Sequence, residues 1–301
     1  MKQLLSDIKQ YFTTTNPAVL IISILLTGLL VFVNYFFRLN ETILGLPTFA
    51  AIYLSWFLIF LFAFIMPYLL YGILDGKNYI AGKKFILLLL IAPLLFAVKI
   101  SITGTPCFSD TGANSLFWNK VLYWPTLVII ITAALIITWK LFNSDMPFYG
   151  MKTKGINWKP YLLMLLMMVP LIALASTQTD FQAMYPKLQS LGDVSSIPAW
   201  QKVVYELSYG SDFFTIELFF RGFLVLAFAK WAGKDAILPM ACFYCTIHFG
   251  KPMAECISSF FGGLLLGIVA YNTRSIFGGL MVHVGIAWMM ELFGIILPFG
   301  G

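Results

Sequence analysis

Four side chains in the last third of the sequence have the types and spacing for acid–base chemistry: Glu217, Arg221, His248 and His283. Glu217 and Arg221 stand four apart in Ile216-Glu217-Leu218-Phe219-Phe220-Arg221-Gly222. On an α-helix that spacing puts them on one face, where they can pair. The pair reads in two ways. It can be a structural ion pair that lets both groups be buried, or a carboxylate held by arginine and poised to activate water. An arginine neighbour lowers a carboxylate pKa, and a low dielectric raises it. His248 ends Phe243-Tyr244-Cys245-Thr246-Ile247-His248, with Tyr244 one turn earlier and able to orient its ring. His283 sits in Gly278-Gly279-Leu280-Met281-Val282-His283-Val284-Gly285, far in sequence from any charge, so its partner must come from another helix. The chain has only two histidines, and both are in this set. The bland reading makes each a satisfied packing group; the sharper one brings Glu217, His248 and His283 from three helices into one polar cavity, with Arg221 close to Glu217.

The surroundings decide what such groups cost. Of 301 residues, 60% are hydrophobic, 17% aromatic and 11% charged, and mean hydropathy is +0.88. An ordinary soluble domain carries roughly 25% charged residues. The composition therefore excludes a disordered chain, a coiled coil and a secreted disulfide scaffold. It predicts an all-α, polytopic membrane helical bundle. Charge-free runs place about nine transmembrane helices near 18–37, 48–74, 85–103, 121–139, 160–176, 211–229, 235–250, 255–273 and 275–297. A polar stretch, 177–210, divides them into an N-terminal transmembrane region (1–200) and a C-terminal core (205–297).

An ionisable side chain in hydrocarbon costs about 2.5–3.5 kcal/mol on insertion scales, so those that persist are paired or functional. Asp212, Glu217, Arg221, His248, Glu255, His283 and Glu291 all follow residue 205, and the earlier spans offer only Lys99, which can snorkel. An active site is thus expected after residue 205. Gly262, Gly263, Gly267, Gly278, Gly279 and Gly285 would let the last two helices approach closely. The net charge of +6 comes without a basic cluster interleaved with aromatics, so no nucleic-acid partner is expected. Cys107, Cys242, Cys245 and Cys256 form no disulfide framework. The spacing Cys242-x-x-Cys245-x-x-His248 suits zinc poorly, since the first and last positions differ by about 240° around a helix.

The motifs resemble the CAAX protease and bacteriocin-processing family of intramembrane proteases, which contains the type II CAAX prenyl endopeptidases. The family pattern is Glu-Glu-x-x-x-Arg, Phe-x-x-x-His and His-x-x-x-Asn/Asp on separate helices. Here these read Ile216-Glu217-Leu218-Phe219-Phe220-Arg221, Tyr244-Cys245-Thr246-Ile247-His248 and His283-Val284-Gly285-Ile286-Ala287. The stretch Ser258–Gly267 and Thr273-Arg274-Ser275-Ile276 look like the family's connecting helix and the opening of its last motif helix. The likeness covers about residues 205–297. It implies an endopeptidase acting on a membrane-associated protein or peptide, prenylated substrates included, in a multi-pass protein of the cell membrane. By the same resemblance Glu217 with His248 activates water, His283 helps bind the water or the reacting carbonyl, and Arg221 holds Glu217. A divalent metal such as zinc on Glu217, His248 and His283 fits two histidines and a carboxylate chemically.

Two positions depart from the pattern. Ile216 stands where the family has its water-activating glutamate, and Ala287 where it has a polar residue that helps stabilise the oxyanion. Adjacent helical residues point about 100° apart, so Glu217 does not simply replace residue 216. The alternative reading is a catalytically degenerate relative acting as a membrane scaffold or immunity factor. A transporter is a third class, but the chain shows no repeat symmetry.

The inner segments of a nine-span, N-in arrangement hold twelve Lys and Arg and the outer segments five. Reporter fusions at the two ends should therefore place the N-terminus inside and the C-terminus outside; both ends on one side would overturn the odd span count.

Overall fold

A computed structural model describes residues 2–102 and 112–296, without the side chains of residues 113 and 114. Cys107 lies outside the described residues. Among those residues every regular element is a helix. Hydrocarbon offers no water to unpaired backbone groups, and a helix satisfies them within one segment.

The chain forms two compact units, each drawing on distant parts of the sequence. The first comprises residues 1–101, 134–154 and 218–276. It contains α1 (Lys2–Thr14), α2 (Pro17–Phe36), α3 (Leu39–Leu44), α4 (Phe49–Asp75), α5 (Lys83–Ser101) and the end of α6 (Ala113–Phe142). A π-helix (Leu218–Ala227), α10 (Ala229–Ala232), α11 (Ile237–Thr246) and α12 (Met253–Thr273) complete it. Asn16 starts α2, accepting from the Ala18 and Val19 amides, with Pro17 in the first turn where its missing N–H costs nothing. The buried stripe of α2 is small or polar: Val19, Ser23, Thr27, Val31 and Asn34. Its exposed stripe is large and apolar: Ile21, Leu25, Leu29, Phe32 and Phe36. This reverses the order of a soluble helix and suits a lipid surround.

The centre of this unit is aromatic. Phe60, Phe64, Phe96, Phe219, Phe220, Phe228 and Phe243 are all buried and in ring contact, which ties α4, α5, the π-helix and α11 together. Lys99 does not snorkel. It is buried in the last turn of α5 with Nζ 5.6 Å from the Phe96 ring, because its side chain faces this aromatic centre.

The second unit comprises residues 102–133, 155–217 and 277–301. It contains the first part of α6, α7 (Lys159–Ala175), α8 (Thr179–Met184), α9 (Ala199–Glu217) and α13 (Phe277–Ile296). α13 packs against both α7 and α9. Met168 and Ile172 on α7 meet Met289, Met290 and Phe293 on α13, with Phe181 and Tyr185 closing the cluster.

Six helices are long and apolar enough to cross a membrane: α2, α4, α5, residues 115–142 of α6, α12 and α13. Their positions agree with the charge-free runs. α7 is apolar and 17 residues long. The other two expected crossings have different shapes. The expected span near 211 is the end of a helix that begins at Ala199 and passes at Glu217 into the ten-residue π-helix. Gln201, Lys202 and Glu206 interrupt the apolar run there, but Tyr205, Ser208 and Tyr209 still form a buried helical face. Charge ended the hydropathy run without ending the helix. α11, expected at 235–250, spans ten residues.

Gly222 is required by contact. A Cβ there would meet the Tyr149 carbonyl oxygen at 2.6 Å, backbone that cannot swing aside. Gly222→Ala should therefore cost about 1–3 kcal/mol of stability, read as a lower unfolding temperature in detergent. An unchanged melting temperature would contradict the packing described.

Candidate catalytic site

Glu217 ends α9 and His283 sits in the second turn of α13, both in the second unit. His283 Nδ1 lies 3.0 Å from Glu217 Oε1. Glu217 has no exposed surface, and the His283 side chain is 14% exposed. A carboxylate can only accept, so Nδ1 carries the proton and the lone pair of a neutral ring is at Nε2. The partner that His283 lacked in its own stretch of sequence is thus Glu217.

Two features hold this geometry. The Phe213 ring, one turn before Glu217, packs on the His283 ring with centroids 4.7 Å apart. Gly279, one turn before His283, gives the carboxylate its space: a Cβ there would stand 2.3 Å from Glu217 Oε2. The glycine was expected to bring helices together; here it admits a carboxylate. Ile216 and Ala287 are both buried and apolar.

Arg221 and His248 belong to the first unit, which begins again at Leu218. Arg221 is fully buried, and its guanidinium lies 4.3 Å from the Tyr244 ring centre. Such stacking is worth about 2 kcal/mol or more when desolvated. The α-helix ends at Glu217, and Arg221 lies in the wider π-helix that follows. Tyr244 does orient His248. Its ring lies 4.7 Å away, and its carbonyl receives the Nδ1 proton at 2.9 Å, again leaving the lone pair at Nε2.

The loop after His248 is held from the N-terminal half of the chain, which sequence reasoning had left without a part. Buried Asn34 donates to the Phe249 carbonyl at 3.0 Å and accepts from the Asn40 amide. Tyr35 donates its hydroxyl to the Lys251 carbonyl at 2.6 Å. An asparagine in an otherwise apolar span was the available signal. Cys245 Sγ lies 4.0 Å from Cys256 Sγ, and Cys242, Cys245 and Cys256 are free and buried.

Among the described residues, no group of three or more His, Cys, Asp and Glu side chains is arranged to hold a metal ion. A divalent metal on Glu217, His248 and His283 rests on the sequence resemblance.

With two histidines in the chain, ¹⁵N-histidine labelling gives only two ring systems. Gly279→Ala should displace the Glu217 carboxylate and change the ring-nitrogen resonances of His283, identified by His283→Ala. Unchanged His283 signals would contradict the role of Gly279.

No curated protein and no solved structure matches the chain. A family model does match, over the segment that carries Glu217, Arg221, His248 and His283 and leaves the first 207 residues uncovered. Residues 208–289 match the Rce1-like family, type II CAAX prenyl endopeptidase, the group that the three motifs resemble.

Proposed function

We propose that the protein is an intramembrane endopeptidase of the cell membrane that hydrolyses a peptide bond in a membrane-associated protein or peptide. The observation that supports this most is the buried Glu217–His283 contact inside a segment matching a protease family. Orientation is what the carboxylate supplies. By accepting the Nδ1 proton it presents His283 Nε2 as a base. Water loses a proton to Nε2 as its oxygen adds to the scissile carbonyl. That proton then passes to the departing amine nitrogen, leaving a carboxylic acid and an amine. His248, with its lone pair also at Nε2, and Arg221 enter through the sequence resemblance.

Two buried apolar side chains favour a second reading. Ile216 supplies no carboxylate and Ala287 no oxyanion donor. Losing one oxyanion donor costs about 10²–10³ in rate in a well-studied protease. The alternative is a relative that has kept the architecture and lost the reaction, acting as a membrane scaffold or immunity factor.

Cleavage of membrane-associated peptides by the purified protein separates the two. Glu217→Ala and His283→Ala should each abolish hydrolysis in protein that still folds, and His248→Ala should reduce it strongly. Cys242→Ala and Cys245→Ala should leave it intact. Ile216→Glu with Ala287→Asn should raise turnover. Full activity in Glu217→Ala would remove the proposed dyad, and no hydrolysis even in the restored double variant would favour the scaffold.

A further inference from the structure

Eleven residues before Glu217, the same helix carries a second, half-buried acidic group. Glu206 lies in the polar part of α9, which is not among the helices apolar enough to cross a membrane. Its carboxyl group is hydrogen-bonded to that of Glu291 on α13. Glu291 is 3% exposed, and both its oxygens accept from the Lys187 amide, at 3.0 and 2.9 Å. Glu206 Oε2 is buried with no hydrogen-bond partner among the described residues, which favours the neutral form there. Two carboxyl groups in direct contact bind one proton between them, because the doubly ionised pair pays like-charge repulsion.

The same stretch of the α9–α13 seam has two further ties. Trp288 Nε1 donates to the Glu206 carbonyl at 3.3 Å. The Trp288 indole also lies against Gly210, where a Cβ would meet it at 3.2 Å. The seam then continues to the Glu217–His283 contact.

We infer that Glu206 and Glu291 share one proton and that this proton clamps α9 to α13 in the register that sets the Glu217–His283 contact. They are positioning residues, and their consequence for hydrolysis rests on the endopeptidase reading. Other titratable groups facing the pair are few. Tyr205 on α9 donates to the Lys187 carbonyl and interacts electrostatically with both carboxyl groups. The Lys187 ammonium lies over the Tyr185 and Tyr209 rings at 5.5 and 5.9 Å. On α6, Tyr123 couples to Asp212, and at this level α7 presents apolar side chains to α13. Burial and the neighbouring Glu291 push Glu206 up to about 8. Because the folded protein holds this proton more tightly than the unfolded chain, the stabilisation is complete below the ordinary glutamate range. It is lost as pH rises towards about 8.

The test is ¹⁹F NMR of 5-fluorotryptophan-labelled protein in lipid nanodiscs from pH 6 to 9.5, with Trp288 identified by Trp288→Phe. The wild-type Trp288 resonance should titrate near pH 8. Glu206→Gln, which can donate to Glu291 but cannot ionise, should hold the low-pH position throughout. Glu291→Gln, a second variant should the first not fold, should move the transition to lower pH. A wild-type Trp288 signal that does not titrate, or an unaltered titration in Glu206→Gln, would overturn the clamp. In peptide cleavage, the wild-type kcat should fall along an alkaline limb that Glu206→Gln lacks. Titration of Trp288 without any hydrolysis would leave the clamp standing and defeat the endopeptidase reading; hydrolysis with a silent Trp288 would do the reverse.

Discussion

A carboxylate with no exposed surface has lost all its water, and the protein must replace that solvation or keep the group neutral. Glu217 is in this position. One oxygen faces His283 Nδ1, and the other occupies space that exists because residue 279 has no side chain. Much of the second unit follows from meeting this demand. α9 and α13 must run close together, a glycine must stand one turn before the histidine, and the imidazole must be fixed in one tautomer. Once these conditions hold, the imidazole is held in one orientation, which the proposed hydrolysis uses.

Similar logic shapes the first unit. A histidine after a ten-residue helix would be loosely placed if only its own loop held it. Here Asn34 and Tyr35, from a helix more than two hundred residues earlier, bind the carbonyls of Phe249 and Lys251. The N-terminal helices, which the family match leaves uncovered, therefore brace a motif residue. In hydrocarbon, small and polar side chains mark the packed face, and large apolar ones serve the lipid. α2 follows this rule along its whole length.

The departures at Ile216 and Ala287 have a chemical meaning beyond sequence drift. Both side chains are buried and apolar, so neither offers a hydrogen-bonding group. What persists is a carboxylate that orients an imidazole, an arginine stacked on a tyrosine and a second oriented imidazole. In the proposed hydrolysis these groups would position and move a proton, with less than the family pattern offers for stabilising the charge that develops on the carbonyl oxygen.

The sequence by itself determined the solvent, the class of fold and the candidate residues. Apolar length and the scarcity of charge dictate helices, because backbone groups in lipid must be satisfied within their own segment. The cost of ionisable groups collects Asp212, Glu217, Arg221, His248, Glu255, His283 and Glu291, and the motif resemblance picks Glu217, Arg221, His248 and His283 among them. Tertiary structure decided the pairings. Helical spacing offered Arg221 to Glu217, and the helix changes from α to π after Glu217. His283 became the partner through a helix contact that no local pattern encodes. Glu206 was hidden for a related reason: it sits in a polar stretch where hydropathy predicts solvent, and the packing of α9 against α13 half-buries it beside Glu291. Local sequence reports period and cost, whereas contacts between helices distant in the chain depend on side-chain shape along both surfaces, which becomes legible only when the surfaces are brought together.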